Sequence, residues 1–387
     1  MNKMPDCHIC GGQLSEIDGF SALHQVTSDC RPWRRWGHIC ICQHCGTVQK
    51  PITEEWLSET EEIYSDYEVY CQGGGEEQST FEPESGVGVG RSYRIITWLD
   101  QNTCLPEQGK LLDVGCGNGS FLKAFNAYRD GWNLTGLEID DRNKKTIETI
   151  PKARLRTGSI DDIDQQYDMV VLIHVLEHIP NPLEFLASIS DGLSEKGQLI
   201  IEVPNLETSP FDVLIGDHCT HFTAQSLKGL IKVAGFEVLE LSRDFISKEL
   251  SLLSKPRERL DQENFANEFP DLDSETEKGR RIVQDHIAWL KAILEQSLEN
   301  QEKLGVFGSS ISATWLASEL NGKITFFVDE DINRINRSHM CLPIIGPDGV
   351  PDKSKVLMPM RFDIAQAILN RFPEKNRKNF ILPVNQT

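Results

Sequence analysis

A chain of 387 residues exceeds what one ordinary hydrophobic core organises and points to two or three domains. Its 39% hydrophobic and 25% charged residues are those of a packed protein, which excludes wholesale disorder and collagen-like or fibrous architectures. Against 59 acidic side chains stand 39 basic ones, a formal charge of -20 that repels polyphosphate backbones, so no nucleic-acid partner is expected.

No apolar run reaches the roughly 18 residues of a membrane span, and the opening MNKMPDCHIC lacks a secretory core, so the expectation is a cytoplasmic protein with no membrane association. In a reducing compartment, 11 cysteines argue for metal ligation or free thiols over disulfides.

The first pattern along the chain is a pair of knuckles, Cys7-His8-Ile9-Cys10-Gly11 and Cys42-Gln43-His44-Cys45-Gly46. Two such turns offer four thiolates from opposite sides, a tetrahedral set for structural zinc that leaves no open coordination position. Cys40 could enter in a shifted register, but the glycine after each Cys-x-x-Cys favours Cys7, Cys10, Cys42 and Cys45 as the metal ligands. His8 and His44 are read as exposed fillers.

A glycine-rich break at Gly73–Gly75 precedes alternating strand and helix patterns from about Lys110 to Leu253. Lys110–Val114 reads as a strand, Gly115-Cys116-Gly117-Asn118-Gly119 as a tight turn and Ser120–Phe125 as a helix start. Such a turn lets a ligand approach bare backbone amides. A second strand, Leu134–Leu137, ends at Glu138, about 20 residues on, where a carboxylate can accept both hydroxyls of a ribose. A nucleoside-type cofactor is implied. Ser120 stands where the nicotinamide fingerprint wants a third glycine, and Asp113 precedes a G-x-G-x-G turn, which fits S-adenosylmethionine better.

Beyond Leu253 the polar stretch Ser254–Asp273 reads as a linker, and a capping box at Ser274 and Glu277 opens a long helix with apolar Val283, Ile287, Leu290, Leu294 and Leu298. A connector packed on a neighbouring domain and a dimer-forming coiled helix are both open for it, so a homo-oligomer stays open too. Leu304–Phe307, Gly308-Ser309-Ser310, Ile311–Leu320 and Ile324–Val328 then repeat the strand, glycine turn, helix, strand plan.

LDVGCGNGSFL, GLEID and YDMVVLIHVLEHIPNP, in this order and separation, resemble the first motif, second motif and fourth strand of class I methyltransferases. The resemblance implies that Gly115, Gly117 and Gly119 cradle the methionine part of S-adenosylmethionine with Asp113 near its ammonium. It also implies that Glu138 holds the ribose, Ser159 and Ile160 border the adenine, and His174 lines the cofactor through its backbone.

The whole chain resembles the three-part, zinc-containing deoxysugar C-methyltransferases. The fold class expected is therefore α/β: a class I methyltransferase Rossmann-like central domain, an N-terminal zinc-binding module and a smaller C-terminal Rossmann-like domain. The boundaries are 1–80 for the zinc module with a tyrosine-rich lid, 81–253 for the cofactor-binding domain, 254–303 for linker and long helix, and 304–387 for the last domain.

In that family a Tyr-His-Glu-His segment carries the base. Asp217 matches the Glu and His218 the second His, while Ile215 and Gly216 replace the Tyr and first His, and His221 replaces an aromatic residue. The resemblance implies that His218, oriented by Asp217, removes the acceptor's proton, and that Tyr67 and Tyr70 of the lid touch the cofactor. The implied acceptor is a small molecule, a nucleotide-linked keto-deoxysugar methylated at carbon; sugar O-methylation is the alternative. A zinc-bearing scaffold without turnover is the reading from another class. The C-terminal turn, with Asp329 after its second strand, suits either a nucleotide half-site or a purely structural unit.

Overall fold

The computed structural model describes residues 4–67, 79–81, 88–103, 105–163, 165–257, 272–299 and 303–385. Tyr70, Gly73–Gly75 and most of the expected linker lie outside the described residues. Among those described, no helix is long and apolar enough to cross a membrane.

A seven-stranded sheet occupies the middle of the chain, in the order Phe236–Ser242, Glu249–Pro256, Leu193–Pro204, Tyr167–Ile173, Lys110–Val114, Asn133–Glu138 and Ala153–Thr157. Its last five strands run parallel, while Glu249–Pro256 is antiparallel to both of its neighbours. Parallel strands need cover on both faces, which is why they read as near-continuous apolar runs. Successive side chains go to opposite faces: Leu112, Val114, Val170 and Leu172 join one core, while Leu111, Met169 and Val171 join another. This is a Rossmann-like sheet, as expected for the central domain, with ligand space outside the carboxyl ends of the parallel strands.

The N-terminal sheet has four antiparallel strands, Leu14–Glu16, Cys40–Cys42, Val48–Gln49 and Thr220–His221. The fourth comes from far along the chain, with Thr220 opposite Gln49 and His221 opposite Val48. The C-terminal sheet has six, ordered Ser338–His339, Leu342–Ile345, Ile324–Val328, Lys303–Phe307, Ser354–Leu357 and Phe380–Ile381.

The long helix spans Leu272–Leu298, beginning two residues ahead of the capping box. Most of its apolar stripe is covered within the chain: Val283, Ile287, Trp289, Leu290 and Ile293 share a core with Ile17, Phe20, Leu23, Leu214 and Trp315, whereas Leu298 is exposed. Trp289 Nε1 donates to the Val384 carbonyl at 2.9 Å, and His286 Nε2 lies 2.7 Å from the Leu206 carbonyl. The expected linker begins later than its polarity suggested, because Ser254–Pro256 complete the strand Glu249–Pro256 and Ser254 Oγ donates to the Leu199 carbonyl.

Candidate active site

At the carboxyl end of Lys110–Val114 the chain turns through Gly115, Gly117 and Gly119, with φ of 65, 56 and 83°. A side chain is excluded for space as well as conformation: a Cβ on Gly115 would stand 2.7 Å from Val175 Cγ2, and one on Gly119 2.9 Å from Ile147. Gly119 caps the helix Ser120–Tyr128.

Glu138 reaches this turn, its Oε1 accepting the Gly117 N–H at 2.5 Å and its Oε2 the Ile139 N–H at 3.2 Å. Asp113 is buried, and its Oδ2 has no hydrogen-bond partner among the described residues. Burial, with the charge of Glu138 added, pushes its carboxyl well above the usual range. An orphaned carboxylate oxygen beside bare amides fits an ammonium group, and a carboxylate at the second strand's end fits a ribose. The residues expected for S-adenosylmethionine therefore suit it.

Gly158 N–H donates to the Glu138 carbonyl, which sets the next turn beside the same strand end. There Ser159 caps Ile160–Asp162, and Ile160 is buried. Tyr67 is half-buried, its ring 5.6 Å from that of Tyr64, and its carbonyl accepts from Arg142.

His174 has φ of 54° and its N–H donates to the Glu202 carbonyl. Its ring enters a polar cluster, with Nδ1 3.1 Å from Glu177 Oε1 and Nε2 2.5 Å from Arg91. Burial pushes its imidazole down to about 4.

His218 is 3% exposed and lies edge-to-face with His178, ring centres 4.5 Å apart. Here the structure corrects the expected orientation. The Nδ1 of His218 pairs with Asp212 Oδ1 at 2.7 Å, and Asp212 Oδ2 pairs with His221 Nδ1 at 2.6 Å.

Asp217 faces the other way, accepting from the N–H and Oγ of Ser28 at 2.9 and 2.5 Å. The tight turn Asp212–Leu214 folds Asp212 back under the histidines, while the adjacent Asp217 is drawn to the N-terminal segment. His178 Nδ1 is 3.0 Å from both Tyr64 Oη and the Asp217 carbonyl. Val175, packed over Gly115, lies three residues before His178 and joins this cluster to the glycine turn.

The two histidines differ in basicity. Burial opposes charge on His218, yet the hydrogen bond and charge of Asp212 win and raise its imidazole. Burial, with the charge on His218, lowers that of His178. Sequence reasoning missed Asp212, Ser28, Tyr64 and Glu177 as participants; an acid six residues before a histidine leaves no distinctive signal.

Residues 90–241 match the family model described as "Methyltransferase domain". Among similar curated proteins, the ubiquinone biosynthesis O-methyltransferase of Rickettsia bellii is 33% identical over 103 residues, covering 25% of this chain and 42% of that protein. The tRNA U34 carboxymethyltransferase of Helicobacter pylori is 27% identical over 168 residues, 38% of this chain and 63% of that one. The chain thus spans less than half the length of the first relative. Among solved structures, the Burkholderia thailandensis 1,6-didemethyltoxoflavin-N1-methyltransferase has a TM-score of 0.40 at 15% identity, covering 55% of this chain and 96% of that one.

Against the core of the seven-stranded sheet sits the cysteine cluster. The sulfurs of Cys7, Cys10, Cys42 and Cys45 lie within 4.8 Å of one another. Main-chain N–H groups of Ile9, Gly12 and His44 point at Cys7, Cys10 and Cys42, and Gln49 Nε2 donates to Cys7 Sγ at 2.9 Å. Amide donors around four convergent sulfurs are compatible with thiolates on zinc. Cys40 instead approaches Met4, and burial pushes its thiol up to about 12.

His44 is exposed as expected, but His8 is not a filler, since its Nε2 lies 2.7 Å from Thr220 Oγ1. The cluster is thereby tied to the loop that carries His218. In the last sheet, Asp329 is held by Ser309 Oγ and Arg334, so the acid of the expected nucleotide half-site is engaged by its own neighbours.

Proposed function

We propose that this chain transfers a methyl group from S-adenosylmethionine to a small-molecule acceptor, a nucleotide-linked keto-deoxysugar methylated at the carbon beside its ketone. The observation that carries the reading is the His178–His218 pair, on the chain just past Val175, which faces Gly115 of the glycine turn. S-adenosylmethionine, when bound, supplies an electrophilic methyl group. Asp113, the glycine turn and Glu138 would hold it, with Ser159, Ile160 and Tyr67 at its edges, and the four cysteines would hold structural zinc.

Methyl transfer asks the protein to position the acceptor and take up its proton. Two imidazolium rings this close do not both ionise readily, which favours a pair that keeps one ring nitrogen free to accept a proton. Of the two, His218 is the stronger base, raised by Asp212, and His178 the weaker, lowered by burial, which supports His178 as the acceptor. The single base expected from sequence becomes a pair. His178 takes the proton from carbon, and His218, held by Asp212, donates toward the developing enolate oxygen. Sugar O-methylation, the second reading, draws on the relatives named as O-methyltransferases; the same pair would then deprotonate a hydroxyl.

Proton NMR in deuterated water separates the two. Incubated with nucleotide-linked keto sugars and no methyl donor, the protein should exchange the hydrogen beside the ketone, and with donor yield a product heavier by one methylene. An O-methylated product without such exchange replaces the carbon reading, and no S-adenosylhomocysteine with any acceptor removes both.

A further inference from the structure

We infer that Glu177, His178 and His218 form a binding site for a divalent transition-metal ion, separate from the four-cysteine cluster. One ligand atom from each of the three lies within 4.8 Å of the others, and among the described residues none of the three side chains hydrogen-bonds another. Both imidazoles are fixed at Nδ1, His218 by Asp212 Oδ1 at 2.7 Å and His178 by Tyr64 Oη and the Asp217 carbonyl at 3.0 Å. Each ring is left with Nε2. Glu177 is wholly buried; its Oε1 is engaged by His174, while Oε2 has no hydrogen-bond partner among the described residues.

A buried carboxylate oxygen without a donor is costly, and a cation relieves that cost. Two imidazoles and a carboxylate form a nitrogen-rich set suited to zinc, nickel, cobalt or iron rather than magnesium or calcium, and three ligands leave coordination positions open. The Asp212–His218 contact is the outer carboxylate that orients a metal-binding histidine. Ligand bonds of about 2.1 Å ask for closer approach than the 4.8 Å within which one ligand atom of each now lies. A ring nitrogen bound to the ion is closed to the acceptor's proton, so occupancy and methyl transfer exclude each other. This effect on turnover rests on the proposed role of the histidine pair; the binding does not.

The test titrates the full-length protein, freed of loosely held metal, with nickel(II), and counts nickel and zinc separately after gel filtration. Wild type should take one nickel per chain with its zinc content unchanged. Glu177→Gln and His178→Asn should lose that nickel while binding S-adenosylhomocysteine within a few-fold of wild type, which shows that they fold. Turnover of wild type should fall as nickel occupancy rises. No bound nickel, or nickel retained by both variants, overturns the site. Nickel that depends on these residues while turnover stays unchanged upholds the site and overturns the proton-handling role.

Discussion

His218 and Asp217 are sequence neighbours with unrelated surroundings, and the difference has measurable consequences. Asp212 holds the Nδ1 of His218, whereas Asp217 is occupied by Ser28 and His178. His218→Ala should leave S-adenosylhomocysteine affinity within a few-fold and cut turnover by roughly 100-fold or more, as loss of a proton-transfer group does. Steady-state kinetics with calorimetry checks both. Because the Asp212 carboxylate raises the His218 imidazole, Asp212→Asn should lower it, so that NMR titration finds His218 losing its proton at lower pH than in wild type. Asp217→Asn should move it less. An unmoved titration in Asp212→Asn removes the orienting role.

At the level of elements, the strand–turn–helix at Gly115–Gly119 was legible because three glycines, an acid ahead and an acid behind all serve one backbone geometry, and local chemistry writes such geometry into adjacent residues. The knuckles were legible for the same reason. What joins them to the histidine loop was not, since Thr220–His221 is a two-residue strand whose partner lies far back along the chain, too short for any period to mark. The reading of Ser254–Pro256 as linker failed through polarity alone: Ser254 is buried, with its hydroxyl satisfied by a neighbouring strand.

The short strand gives the cysteine cluster influence beyond its own sheet. His8 meets Thr220, Lys50 donates to the Ile215 carbonyl, and Trp56 Nε1 donates to the Gly216 carbonyl at 3.0 Å. Cys42→Ser should therefore release zinc and also depress methyl transfer, through the loop bearing Asp217 and His218. Metal analysis and turnover are the readouts. Unaltered zinc content refutes the ligand set, and zinc loss with full turnover refutes the coupling.

Across the whole molecule, a single core takes in Ile41 and Val48 of the N-terminal sheet, residues 206 and 213–215, the long helix and one face of the C-terminal sheet. Trp289 sits within it, 6% exposed, with its indole N–H on the Val384 carbonyl. Trp289→Ala should destabilise the fold by about 3–5 kcal/mol through the cavity it leaves. Urea unfolding followed by circular dichroism measures this; a loss below 1 kcal/mol would show that the helix is not anchored there.

The borrowed strand also bears on how the chain matures. Until residue 221 has left the ribosome, Val48–Gln49 forms an open margin whose peptide groups lack their mate. A truncated product ending before Thr220 keeps that margin unpaired. Synthesis must pass residue 221 before the N-terminal sheet gains its fourth strand.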